Sequence, residues 1–171
     1  MKPVIDPAAT ITHDRGIAAV RAVLAHGDWI VTRGVHVTDN LVAMATNTPL
    51  SHAAIYDAAN DTIIESEARG VHATPLLEFL AKSHRVLVMR PMWATDETRE
   101  PAVARARDLI GSGYNYTGLV GLGLPGRYYC TELAVAAYEP FMENAPDNPI
   151  PRVIKPGQMY HWGRIVYDSG P

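Results

Sequence analysis

A single cysteine, Cys130, opens the apolar run Cys130-Thr131-Glu132-Leu133-Ala134-Val135-Ala136-Ala137-Tyr138. A Gly-rich stretch, Gly111 to Gly126, ends just before it. The apolar spacing predicts a helix with Cys130 in its first turn, where unpaired backbone N–H groups and the positive end of the macrodipole converge. That setting favours the thiolate, which is the nucleophile. A thiolate that attacks carbonyl groups needs an imidazole beside it to protonate the leaving group, and a third group to fix the imidazole tautomer. His52 and Glu65 supply those two chemistries from neighbouring predicted strands. Each residue also fits a plainer account. Cys130 suits a small buried residue opening a core helix. His52 suits a strand histidine with satisfied ring nitrogens, and Glu65 a strand carboxylate salt-bridged to Arg69.

The elements that must hold these groups follow from the pattern around them. Ser51 to Tyr56 and Asp61 to Ser66 read as the two strands of a hairpin, joined by the polar turn Asp57-Ala58-Ala59-Asn60-Asp61. Alternation puts His52, Ala54 and Tyr56 on one face of the first strand, and Ile63 with Glu65 on one face of the second. An antiparallel register can then bring His52 near Glu65 or Ser66. Upstream, Met1 to Asp14 reads as an extended lead-in. Ile17, Val20, Val23 and Leu24 predict a short helix ending near Gly27, and Asp28 to Arg33 a strand closed by Gly34. Thr38 or Asp39 is placed to cap a helix over Leu41, Val42, Met44 and Ala45. Downstream, Gly70 to Thr74 reads as a link, and Thr74-Pro75 starts a helix through Leu80, with Pro75 at its first position. Arg85 to Arg90 is a buried strand. Asp96 to Ile110 carries the clearest helical pattern, its regular part starting near Glu100 because of Pro101. Asn144 to Pro156 is Pro-rich and irregular, and Gly163 to Tyr167 suits a last strand.

Composition narrows the classes. With 171 residues the chain suits one domain, 1–171, with its core at about 17–140. A net charge of -3 provides no basic field, so a nucleic-acid partner is not expected. One cysteine makes no internal disulfide and suits a reducing compartment. Met1 to Arg15 has no apolar core of a secretory signal, and no apolar run is long enough to span a membrane. The expected compartment is therefore the cytoplasm, or the exterior by a route that needs no signal peptide.

Three further motifs weigh little. Gly121-Leu122-Gly123-Leu124-Pro125-Gly126 matches G-x-G-x-x-G, but it lacks the strand before it and the helix opening within it that a dinucleotide site needs. Asn115-Tyr116-Thr117 matches a glycosylation acceptor, which has no consequence without secretion. His13, His26, His36, His72, His84 and His161 show no H-E-x-x-H or similar spacing, so neither a metal nor a cofactor is expected. Tyr56, Tyr114 and Tyr116 are candidates for contacting substrate. The backbone N–H of Cys130 is a candidate oxyanion donor.

Taken together, an ordered set of segments carries a resemblance: Gly27-Asp28-Trp29-Ile30, Ser51-His52-Ala53-Ala54-Ile55-Tyr56, Ile63-Ile64-Glu65-Ser66, Gly70-Val71 with Thr74-Pro75-Leu76 and Phe79-Leu80, and Tyr129-Cys130-Thr131-Glu132-Leu133. This order resembles that of the circularly permuted NlpC/P60 proteins, the YiiX/YaeF-like, papain-like cysteine peptidases and amidases. Histidine precedes cysteine here, as the permutation implies. The chain departs slightly from the family in Ala53-Ala54, where Val-Gly is more usual, and in Ser66, where Ala is. The resemblance implies an α+β papain-like fold, an antiparallel sheet or small barrel packed against helices. It implies Cys130 as nucleophile, His52 as general base and acid, and Glu65 as the orienting group. The expected activity is hydrolysis of an amide bond in a peptide, a cell-wall fragment or an N-acyl amide. An acyltransferase on the same scaffold and a non-catalytic ligand-binding module are the alternatives.

Overall fold

The computed structural model describes residues 7–34, 50–118, 121–142, 151 and 153–170. The helix expected over Leu41 to Ala45 lies outside them, as does most of the stretch from Asn144 to Pro156. Helix α1 spans Pro7–Val23, and strands β1 to β4 span Trp29–Gly34, His52–Asp57, Thr62–Glu67 and Gly70–Pro75. Helix α2 (Leu76–Ala81) and strand β5 (Ser83–Pro91) follow, then α3 (Arg99–Asp108) and two short strands, β6 (Gly113–Tyr114) and β7 (Arg127–Tyr128). Helix α4 (Cys130–Tyr138) and strand β8 (Gly163–Asp168) come last. Among the described residues no helix is long and apolar enough to cross a membrane.

Six strands form an antiparallel sheet in the order β4-β3-β2-β1-β5-β8. Both faces of its centre are buried, so the central strands are apolar on alternate and intervening positions alike. On one face Trp29, Val31, Ala53, Ile55, Ile64, Leu87 and Met89 pack under α3 and α4. On the other Ile30, Ala54, Tyr56, Ile63, Val86 and Val88 pack with Val20 of α1 and Leu76, Phe79 and Leu80 of α2. Trp29 fastens α4 to the sheet. Its indole Nε1–H donates to the Ala134 carbonyl at 3.0 Å, and its ring meets Tyr138 edge-on at 6.1 Å. The Tyr138 hydroxyl in turn donates to the Gly27 carbonyl at 2.8 Å. Such aromatic pairs add about 0.5–1.5 kcal/mol beyond the area they bury.

Beside Trp29, the fully buried Asp28 carboxylate ties the turn between α1 and β1 to β5 and α3. It accepts from the Ala25 N–H at 2.9 Å, from Arg90 Nε and Nη2 at 3.0 and 2.9 Å, and from Arg99 Nη1 at 3.3 Å. The two guanidiniums reach onward to backbone carbonyls, Arg90 to Val23 and Arg99 to His26.

Two local expectations are corrected. Residues 7–14, expected to be extended, lie within α1. Pro7 stands at the first helical position, where its missing N–H costs nothing, so it starts the helix rather than preventing it. Gly70 to Thr74 is not a link but strand β4, paired along its length with β3. Gly70 turns into it at φ +92, and a Cβ there would meet the Ser112 carbonyl oxygen at 2.3 Å. Pro75 closes β4 in an extended conformation, so α2 begins one residue later than expected.

Candidate active site

The head of α4 is built by its neighbours. Tyr129 is the extended N-cap, and its backbone N–H donates to Glu132 Oε2 at 3.0 Å. The same oxygen accepts from Asn115 Nδ2 at 3.1 Å, which ties the Gly-rich segment to the helix start. The Tyr129 hydroxyl accepts from the Ile154 N–H at 2.9 Å, and Thr131 Oγ1 donates to the Ile154 carbonyl at 2.5 Å. Gly118 sits so close that a Cβ there would lie 2.0 Å from the Tyr129 ring. Cys130, at the first helical position, is buried.

A hydrogen bond ties the hairpin to this helix head. Ser66, next to Glu65 in β3, donates its hydroxyl to the Tyr128 carbonyl at 2.6 Å. Ser66→Ala removes one of two donors to the Tyr128 carbonyl, the Asn115 N–H remaining, so thermal melts should show a loss of about 0.5–1.5 kcal/mol. An unchanged stability would mean that this link does not hold the hairpin to the helix.

On the hairpin, the β2–β3 pairing ends at Ala54–Glu65, while His52 stays paired to Thr32 of β1. The ring thereby reaches diagonally across to the carboxylate, and His52 Nε2 lies 2.7 Å from Glu65 Oε2. Phe79 of α2 packs against the imidazole with ring centres 5.9 Å apart. The second oxygen of the buried Glu65 accepts a hydrogen bond from Thr74 Oγ1. His72, opposite Glu65 in β4, places Nε2 3.4 Å from that oxygen. Its Nδ1 donates to the Gly70 carbonyl at 2.8 Å, and Arg69 Nε donates to its Nε2 at 3.0 Å.

The electrostatics follow from these contacts. Burial disfavours the imidazolium of His52, but hydrogen bonds to the side chains of Cys130 and Glu65 outweigh it and raise its pKa well above the ordinary 6.5. Burial likewise disfavours the Glu65 carboxylate, yet the bonds from His52 and Thr74 hold its pKa below the ordinary 4.5. The arrangement is a thiol, an imidazole and a carboxylate in series. The thiol comes from the head of α4 and the other two from a hairpin far from it in sequence.

A family model described as a permuted papain-like amidase enzyme, YaeF/YiiX, C92 family, matches residues 24–149. The chain belongs to this family. The chain is also similar in fold to the crystal structure of metalloprotein yiiX from Escherichia coli O157:H7. That match has a TM-score of 0.60 and 20% sequence identity, and it covers 70% of this chain and 67% of the other. No curated protein sequence matches the chain. The permuted papain-like resemblance and the α+β architecture expected from the motif order are both borne out.

Of the three tyrosines considered for substrate contact, Tyr114 lies near Cys130 and Tyr116 packs against Tyr114. Burial pushes the Tyr114 hydroxyl's pKa up, and nearby negative charge, that of Cys130 first, pushes it further. Tyr116 crosses Tyr114 edge-on, with ring centres 4.8 Å apart, and donates its hydroxyl to the Ala68 carbonyl at 3.1 Å. Tyr56 is not brought there. It packs in the core beneath α1 and α2, and its hydroxyl donates to Asp61 at 3.0 Å, at the opposite end of the hairpin from His52.

Thr74 and His72 are the contributors to the site that sequence reasoning did not place there, and Ser66, considered as a neighbour of His52, instead bonds to Tyr128. Recognising Gly70 to Pro75 as a strand would have exposed the first two, because alternation then turns both towards Glu65. Asn115, noted only as a glycosylation match, is buried and engaged with Glu132 and with the Leu122 carbonyl. Glu67 was also passed over. His52, Glu65 and Glu67 each bring one atom able to bind a metal within 4.8 Å of the others, a grouping that the sequence spacing of the histidines does not reveal.

Proposed function

We propose that this amidase-family member is a cysteine hydrolase that cleaves amide bonds through a thiolate acyl-enzyme. The observation that carries the proposal is that His52 Nε2 stands 2.7 Å from Glu65 Oε2 while the Cys130 thiol lies near enough to the same imidazole to help raise its pKa. With Nε2 engaged by Glu65, Nδ1 is the nitrogen left for the thiol. Cys130 Sγ attacks the carbonyl carbon of the substrate. The oxyanion that develops takes a hydrogen bond from the Cys130 backbone N–H at the helix head. His52 then gives its proton to the departing amine nitrogen, and a thioester remains on Sγ. Water attacks the thioester carbon and loses a proton to His52, and the acid leaves as the thiolate re-forms. Glu65 holds the ring in the tautomer and orientation that these transfers need, and Thr74 holds Glu65.

The substrate class we favour is a peptide or an N-acyl amide of modest size. Leu122 and Leu124 stand exposed on the segment leading to β7, with Tyr116 exposed nearby in sequence. This favours a substrate with an apolar acyl portion. On such a substrate an amine in place of water would make the same site an acyltransferase, and a chromatographic count of acid against new amide separates the two outcomes.

Alkylation by iodoacetamide tests the nucleophile. At pH 6.5, Cys130 in the wild-type chain should react about tenfold or more faster than in His52→Ala, because the imidazolium partner sustains the thiolate. Equal rates in the two proteins would refute the proposal.

A further inference from the structure

Hydrolysis uses His52 and Glu65 but has no role for Glu67, which lies two residues beyond Glu65 on the same face of β3. Glu67 is nonetheless where a third ligand would be wanted. One nitrogen of His52 and one oxygen from each carboxylate fall within 4.8 Å of one another. Around a tetrahedral ion with bonds of about 2.0–2.1 Å, such atoms sit about 3.4 Å apart, so a modest contraction closes the set. The residue best able to supply that contraction is Glu67, whose side chain is 46% exposed, whereas that of Glu65 is 4% exposed.

The surroundings suit a cation. Two carboxylates and one neutral imidazole balance a double positive charge. Ligating carboxylates are usually held from behind by hydrogen-bonding partners. Glu65 has Thr74, which donates to the oxygen facing away from His52. The opposing charge is Arg69, whose Nε is 3.9 Å from Glu67 Oε2 and whose side chain is well exposed, held by one hydrogen bond to His72. One imidazole with two carboxylates suits a first-row divalent ion such as Zn²⁺ better than Mg²⁺ or Ca²⁺, which prefer oxygen alone.

We infer that His52, Glu65 and Glu67 form a binding site for a divalent transition-metal ion, overlapping the proposed catalytic pair. Three protein ligands leave a fourth position open to water or substrate. The ion takes the place between His52 and Glu65 that their hydrogen bond otherwise fills, so the metal-bound and hydrogen-bonded forms of the pair exclude each other.

The test uses the full chain carrying Cys130→Ala, which removes the thiol as a competing zinc ligand. Isothermal titration with ZnCl₂ should show one ion per chain. Adding Glu67→Gln should weaken binding by about tenfold or more, and adding His52→Ala should abolish it. CaCl₂ should give no binding heat. Glu67→Asp, which keeps the charge on a shorter arm, should bind between the two and serves as the comparison if Glu67→Gln fails to fold. No zinc binding, or equal affinity with and without the Glu67 carboxylate, overturns the inference. Because the thiol is absent throughout, this outcome is independent of the iodoacetamide result, which is obtained without metal.

Discussion

His52→Ala should lower amide hydrolysis by about 10³-fold or more, and because it strips the buried Glu65 carboxylate of a partner it should also lower the melting temperature, which is measured alongside. The imidazole serves twice, sustaining the thiolate and protonating the amine that leaves, and each proton-transfer role is worth about 10²–10⁴-fold. Glu65→Gln should cost less, because an amide keeps the shape of the carboxylate but not its charge. The pH dependence gives a second reading of the same pair, taken with a chelator present. Because the folded pKa of His52 lies well above 6.5, its pairing with Cys130 and Glu65 is fully present below pH 6.5 and is lost as pH rises through that higher value. The alkaline limb of the rate profile should therefore lie well above pH 6.5 and vanish in His52→Ala. Hydrolysis by His52→Ala within tenfold of wild type, or an alkaline limb at pH 6.5, would mean that the imidazole does neither job.

Asp28→Ala should be the most damaging single change to stability, at about 3–5 kcal/mol. The carboxylate is fully buried and answers two guanidiniums and a backbone N–H at once. Deleting it leaves Arg90 and Arg99 facing each other across a polar gap. Their side chains are 28% and 17% exposed, so water can reach both, which argues for the lower end of the range. For a chain of this length about 3 kcal/mol corresponds to roughly 6–12 °C in Tm. Paired urea and thermal melts of Asp28→Ala and Asp28→Asn check this, and Asn should recover only part of the loss, because its one oxygen still accepts while its amide nitrogen faces donors. A fall of less than 1 kcal/mol would show that the guanidiniums find water as readily as they find Asp28.

Much of the site was legible because its local signals are strong. The Cys130 helix has a clean apolar run after a Gly-rich stretch. The hairpin has two β-branched or apolar runs on either side of a polar turn, so its existence and the nearness of His52 to Glu65 both followed. The diagonal between them did not, because it depends on where the β2–β3 ladder ends. Strand β4 was missed since Gly70-Val71-His72-Ala73-Thr74 has a single strongly β-forming pair of residues, and its pairing with β3 decides the matter instead. The residues of α1 from Pro7 were misjudged because proline signals both a break and a first helical turn. Tyr56 was misplaced for a different reason: alternation assigned its face correctly, but not its distance from His52 along the strand. Ser66 looked like a small departure from the family pattern, and its bond to Tyr128 becomes visible only when hairpin and helix are docked.

The order of the parts along the chain has a consequence for synthesis. His52 leaves the ribosome roughly 80 residues ahead of Cys130, which at about 5–20 residues per second is an interval of about 4–16 s. Throughout it, the sheet surface carrying Trp29, Ala53 and Ile55 waits for the helix that will roof it. A nascent chain at that stage exposes a greasy surface attractive to chaperones while holding base and acceptor ready. It has nothing yet with which to attack a substrate.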